Sequence, residues 1–423
     1  MKVAVVGSGV SGLAAAWALD RDHDVVLYEC DPRAGGHVHT HSVEDPVHGP
    51  LAVDSGFIVY NERNYPGLVG LLSELGVATR ESDMSFAVTC RRCRLEFCGR
   101  GAAGLFAERT NMLRPGFLRL LADISRFFRA GKRALADPRW ERRTIGDFLD
   151  EGSYGHGFEK HFIAPMGAAI WSSSPDDMRS MPAAFFLGFF ENHGLLGLRE
   201  APLWRTVDGG SRRYVDALLA HFRGSVRLSS PVRELRRHVD GVELRAGDAA
   251  LERFDRVVVA THPKEALALL GDPSDGERAA LGRIRYSRNE AIVHTDASML
   301  PRRFRARASW NVALDDCRLG AGGIAITYWM NRLQGLPGPT EYCVSLNGEA
   351  RIAPELVLAR ATYEHPIYTL DAVRARDELI ALDGSRCTHF AGAYLGAGFH
   401  EDGLRSGYEA AARVRAAALG AAA

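Results

Sequence analysis

Lys2-Val-Ala-Val-Val-Gly7-Ser-Gly9-Val-Ser-Gly12-Leu-Ala-Ala15 is the stretch from which the rest of this chain can be read. Val3 to Val6 form a short apolar run of the kind that makes a strand buried on both faces. The run passes straight into three glycines and then into a helical pattern from Leu13 to Leu19. Gly7 allows the tight turn, Gly9 lets backbone come close to a pyrophosphate, and Gly12 lets the helix lie against the strand. Ser11 sits in the same turn and is counted with the glycines. The first N–H groups of such a helix have no partner inside it and carry the positive end of its dipole, which favours phosphate. A second strand, Val25 to Tyr28, ends in Glu29. That places a carboxylate about 20 residues beyond the glycines, where it accepts hydrogen bonds from a ribose hydroxyl. A glycine turn without a ligand has no need of that acid, so the segment is read as dinucleotide-binding.

Directly after the acid comes Arg33-Ala-Gly35-Gly36, for which a nicotinamide unit has no mechanical use. Here the sequence resembles the superfamily of flavin amine oxidases, phytoene desaturases and protoporphyrinogen oxidases. The resemblance implies FAD, bound by a fingerprint that runs on through Arg-x-Gly-Gly-Arg. Arg33, Gly35 and Gly36 match it; His37 stands where the last arginine is usual, and Asp31 where another often is. It further implies that the segment Val53 to Tyr60 passes along the flavin, with Gly56 permitting close approach and Phe57 to Tyr60 near the ring. A backbone group at Val232 would hold the adenine. Gly392, Gly403 and Leu404 fall in a closing motif whose helix N–H groups face the pyrimidine oxygen of the flavin. The fold expected from this is α/β: a Rossmann-like FAD-binding domain assembled from 1–85, 205–284 and 385–423, with a discontinuous α+β substrate domain from 86–204 and 285–384.

With 423 residues the chain suits two domains, and its net charge of zero excludes a generally basic nucleic-acid binder. No apolar run reaches the ~20 residues of a membrane span. Met1 leads directly into the first strand and the cysteine number, seven, is odd, which together read as reduced thiols in a cytoplasm. Between Arg91 and Arg143, fourteen Arg or Lys oppose five Asp or Glu. Within that span 114–133 reads as a basic amphipathic helix carrying Phe117, Phe127 and Phe128. Such a helix can rest on an anionic membrane surface, putting the protein on the inner face, or cover a core. From Phe158 to Leu198 the chain is at its most apolar, which reads as a helical substrate region with a greasy interior, and an apolar tunnel is expected to open beside Phe117 to Phe128.

Cys90-x-x-Cys93, followed by Cys98, offers thiols but no second pair, so no metal is expected there. His37, His39 and His41 would share one face of a strand, with no acidic partner evident to suggest a metal. No second GxGxxG is present, so reduced flavin is expected to pass its electrons to oxygen or another external acceptor rather than to a bound nicotinamide.

Many superfamily amine oxidases use a strand lysine near the flavin, and none of Lys2, Lys132, Lys160 and Lys264 lies in a suitable strand. The candidate segment Glu290 to His294 offers histidine instead. Segments such as Asp54 to Pro66, Tyr328-Trp-Met-Asn331 and Gly398 to Gly403 resemble a bacterial subgroup that accompanies cyclopropane-fatty-acid-synthase-like methyltransferases. The resemblance implies hydride removal from an unsaturated or methyl-branched acyl chain, with Tyr60, His294, Tyr328 and His400 as candidates for proton transfer. An amine or polyamine oxidase, a carotenoid or isoprenoid desaturase, and a flavin-binding protein without catalysis are the alternatives.

Overall fold

The computed structural model describes residues 1–197, 202–318 and 324–421. Five strands, all parallel, form the sheet that the opening motif starts: in spatial order Ser225–Arg227, Asp24–Tyr28, Lys2–Val6, Arg256–Val259 and Thr388–Phe390. Alternate side chains of the first strand enter different cores. Val3 and Val5 pack with Leu13 on the face of the first helix, Val10–Leu19, while Ala4 and Val6 pack with Val257 and Phe254 on the other. A strand buried on both faces reads as a continuous apolar run, which is why this one was legible. The last helix, His400–Ala421, lies along the first. A Cβ on Gly407 would fall 2.1 Å from the Ser11 carbonyl oxygen, so glycine is what lets these two helices touch.

The second large sheet has seven strands, in the order Val357–Pro366, Tyr286–His294, Cys343–Leu346, Ile324–Trp329, Trp310–Leu314, Phe86–Cys90 and Leu95–Cys98. Its pairs are antiparallel except that Trp310–Leu314 runs parallel to Phe86–Cys90. Helices Ala164–Trp171 and Ala183–Asn192 share one apolar core with this sheet. Two expectations need correction. Helix Leu370–Leu382, which the boundary at 384 assigned to the substrate unit, buries Ala375 and Leu379 in the core beneath the parallel sheet. Helix Pro115–Ala134 buries Phe117 against Phe97 and Phe106, and Phe127 against Phe148, Phe158 and Phe190, so these aromatics cover a core, and none of them lines the large cavity of the molecule. None of the described helices is long and apolar enough to cross a membrane.

Candidate functional site

A cavity of about 390 Å³ runs between the C-terminal ends of the parallel strands and the antiparallel sheet. At one end stands the glycine turn. Gly7 has φ +99°, and a Cβ there would sit 2.7 Å from the Ala260 carbonyl oxygen; at Gly12 it would sit 1.8 Å from that of Gly7. Gly9 is the opposite case, since a Cβ would meet nothing within 4 Å. Gly9, Val10 and Ser11 line the cavity, and the helix starting at Val10 has no capping side chain. Unpartnered N–H groups facing open space at a helix N-terminus are a cradle for phosphate, and an adenine dinucleotide fits this end. Glu29 ends the second strand as expected. Its carboxylate accepts from the Ser8 N–H at 2.8 Å, the Ser8 hydroxyl at 2.5 Å and the Asp31 N–H at 3.0 Å. Burial pushes its pKa up, but those donors outweigh burial and hold it below the ordinary carboxylate value.

The last helix brings a second N-terminus to the same cavity. Gly398, Phe399 and His400 line it, and the Asp402 carboxylate accepts from the Phe399 N–H at 3.1 Å. Gly392 is also on the wall, its N–H donating to Ser406 Oγ at 2.9 Å. Gly403 and Leu404 lie a turn further in. The Gly403 N–H is spent on the Phe399 carbonyl, a Cβ there would press on Val10 at 2.6 Å, and Leu404 is buried in the helix–helix core. The group that faces the cavity is therefore His400, with Leu404 a packing residue.

Between these ends four histidines, His37, His262, His365 and His400, reach the wall. His37 stacks on Tyr363 at 5.0 Å between centroids, with His365 at 5.7 Å and His262 at 6.1 Å, and its Nε2 is buried without a partner. Burial and then the neighbouring histidines hold its pKa well below the usual value, so it is a neutral ring with one polar atom waiting for a ligand. Burial likewise pushes His400 down to about 3. Its ring stacks on Phe57 at 3.9 Å and its Nε2 is hydrogen-bonded to the Tyr214 hydroxyl at 2.7 Å. Gly56 is on the wall too, although the close approach it permits is to the His37 carbonyl, where a Cβ would lie at 2.0 Å.

The far end is apolar. Phe86, Met166, Ile170, Trp310, Tyr328 and Leu346 line it, and among the described residues no lysine or arginine reaches any part of the wall. The one carboxylate on the cavity wall among the described residues is Glu364, at the other end, 3.2 Å from His262 Nδ1 beside the turn after Ala260. Tyr328 meets Trp310 edge to face at 5.2 Å, and burial raises its pKa, keeping the phenol protonated.

Several expected residues are elsewhere. Tyr60 is buried in the other core against Tyr65. His294 is fully buried inside the antiparallel sheet, its Nε2 2.8 Å from Ser345 Oγ. Arg33 donates to the carbonyls of Gly36 and Val38 and so braces the Gly35–Gly36 loop, where Gly36 packs onto Gly9. Val232 opens a strand near Glu29, through the Ser230 N–H to the Glu29 carbonyl, and is not on the cavity wall. The His39 and His41 ring centroids are 4.0 Å apart, but of the three only His41 lies in the strand Thr40–Asp45, so they do not share one face of a strand. Several wall residues were missed, His262, His365, Tyr363 and Trp310 among them, and also His193. His193 lines the cavity, stacked on Phe189 at 3.8 Å with Phe399 at 6.0 Å. Its Nδ1 donates to the Phe189 carbonyl at 3.0 Å, which leaves Nε2 as a basic lone pair, and burial lowers its pKa to about 4. It follows directly on an apolar helix, where a single histidine gives no periodic signal.

A family model described as flavin containing amine oxidoreductase matches residues 10–298. A comparison with curated proteins found no match. Among solved structures the chain is similar to cyclohexylamine oxidase from Brevibacterium oxydans IH-35A, at 17% identity over 98% of this chain and 99% of that one, with a TM-score of 0.68. Wild-type putrescine oxidase bound to putrescine gives 16% identity, 98% and 99% coverage and a TM-score of 0.70. The CLA-producing fatty acid isomerase from P. acnes gives 14%, 97% and 98%, and 0.68. At such identities the likeness is one of fold.

Proposed function

We propose, from the premise that this chain belongs to the flavin containing amine oxidoreductase family, that it acts on the acyl chain of a lipid or fatty acid. Membership makes it an FAD-dependent oxidoreductase; bound FAD supplies a hydride acceptor. What supports an acyl substrate over an amine is the uncharged far end of the cavity. A protonated polyamine entering it would lose its water shell against Phe86, Met166, Ile170 and Leu346 with no carboxylate among the described residues there to pair with, a cost of several kcal/mol per charge. A hydrocarbon chain loses nothing there and gains roughly 0.8 kcal/mol per buried methylene.

In this reading Gly9 to Ser11 hold the pyrophosphate, His37 Nε2 donates to or accepts from the cofactor, and the apolar walls exclude water. Proton transfer falls to two groups on the cavity wall, His193 Nε2 as acceptor and the Tyr328 hydroxyl as donor. Desaturation, isomerisation and oxidation share these requirements. A lipid substrate also asks for a membrane surface, and the part of 114–133 still free to meet one is its N-terminal end, where Leu118 is 48% exposed beside Leu113 at 85%.

Anaerobic mixing of the holoenzyme with phospholipids bearing unsaturated or methyl-branched chains, and separately with polyamines, tests the assignment. Bleaching of the flavin absorbance by a lipid, and by no amine, is expected; bleaching by polyamines alone would overturn it. In the lipid-active enzyme, His193→Ala should lower turnover by about 10²-fold or more while flavin content stays the same.

A further inference from the structure

Away from the cavity, three segments remote from one another in sequence bring four ligand-type side chains together. Cys90 and Cys93 sit at the tip of the hairpin Phe86–Cys90 and Leu95–Cys98, His161 lies in a π-helical turn, Glu159–Ile163, and Cys317 follows the strand Trp310–Leu314. Their three sulfurs and one ring nitrogen all lie within 4.8 Å of one another. A tetrahedral ion with sulfur at about 2.3 Å and nitrogen at about 2.0 Å requires a sulfur-to-nitrogen edge of about 3.5 Å. Cys93 Sγ and His161 Nε2 are 3.5 Å apart.

We propose that Cys90, Cys93, His161 and Cys317 bind a zinc ion in a closed Cys3His site. Three thiolates and an imidazole are a donor set that suits zinc and not calcium or magnesium, and four protein ligands leave no position for substrate, so the site is structural. Binding converts thiols to thiolates, with release of their protons to solvent, and leaves the filled centre with a net charge of −1. Ion pairs join the segments beside it, Arg91 with Asp315 and Arg92 with Asp316, both at 3.4 Å, and Arg114 donates at 3.2 Å to the carbonyls of both Cys93 and Arg94. The Cys317 carbonyl is held from the other side by His156 Nε2 at 2.7 Å.

The ion has a task in the fold. Each segment it joins also carries a wall of the apolar end of the cavity: Phe86 on the strand of Cys90, Met166 on the helix continuing from His161, and Trp310 on the strand leading to Cys317. Zinc fastens these walls at their outer ends. The sequence displayed the Cys90-x-x-Cys93 pair but not its completion, because His161 lies 68 residues from Cys93 and Cys317 comes from another excursion of the chain.

The test is metal analysis of the holoenzyme purified with reductant and without chelator. We expect one zinc per chain by plasma mass spectrometry, and an X-ray absorption shell of three sulfurs and one nitrogen. Cys317→Ser and His161→Ala should lose most of the zinc. His161→Cys, which supplies a fourth thiolate, should retain it, as should Cys30→Ser, which alters an exposed thiol outside the cluster. Should Cys317→Ser and His161→Ala fail to fold, the wild type still decides: a strong chelator should remove one zinc and expose three thiols to a thiol reagent. Wild-type protein holding only trace zinc after equilibration with the metal, with these cysteines reactive as free thiols or joined in a disulfide, would overturn the proposal.

Discussion

His294 shows what burial does to a single histidine. Its Nδ1 accepts from the Asp296 N–H at 3.1 Å, so the proton is on Nε2, which donates to Ser345 Oγ at 2.8 Å. Burial lowers its pKa to about 4, against a smaller opposing pull from the Asp296 charge. The sign of the consequence is fixed by linkage: the unfolded histidine binds a proton near pH 6.5 and the folded one does not until about pH 4, so its contribution to stability is complete above 6.5 and is lost as pH falls. Over that window one such group changes stability by about 1.4 kcal/mol per pH unit. His294→Gln, which does not titrate, should therefore show a shallower loss of stability between pH 6.5 and 5 than the wild type, by denaturant unfolding. Parallel curves would contradict the burial argument. The sequence could not place this residue, because alternation along a strand says which residues share a face and not which core that face enters. Tyr60 was misread for the same reason. Arg33 was misread for another, in that its guanidinium satisfies carbonyls of its own loop before any ligand is considered.

At the scale of elements, the first strand, the glycine turn and the first helix were legible because each is dictated locally, by steric limits at Gly7 and Gly12 and by two-sided burial of Val3 to Val6. The seven-stranded sheet was not. Its strands come from both halves of the chain, and Phe86–Cys90 finds its parallel neighbour in Trp310–Leu314. The basic helix Pro115–Ala134 shows both limits at once. Its periodicity gave an amphipathic helix correctly, but its apolar side is already occupied, and Arg126 is spent on Asp123 and the Tyr154 ring. Of the apolar side chains left in solvent there, Met112 and Leu135 among them, the pair best placed for a lipid contact is Leu113 and Leu118. Replacing both with aspartate should abolish co-sedimentation with anionic phospholipid vesicles while leaving the melting temperature within a few degrees of wild type, since both side chains lie in solvent. Undiminished binding would remove this surface from the account.

For the whole molecule, the arrangement that matters is two helix N-termini, at Val10 and His400, aimed into one cavity whose opposite end carries no charge on its walls among the described residues. Glycines at 403 and 407 make that possible by letting the helices touch, and the antiparallel sheet closes the space above them. The half of this that grips the dinucleotide could be read from Gly7, Gly9, Gly12 and Glu29 alone. Of the half that meets substrate only Tyr328 was named as a candidate from the sequence; His193 and Trp310 come from other segments that share no motif with it. Gly9 tests the central claim most directly. A side chain there has room within the protein but lies where the pyrophosphate must go. Gly9→Glu, assayed by flavin stoichiometry alongside circular dichroism, should give a folded, colourless protein beside a yellow wild type with one FAD per chain. A folded Gly9→Glu protein that still carries a full complement of FAD would contradict the placement of the cofactor, and with it the reading of the cavity.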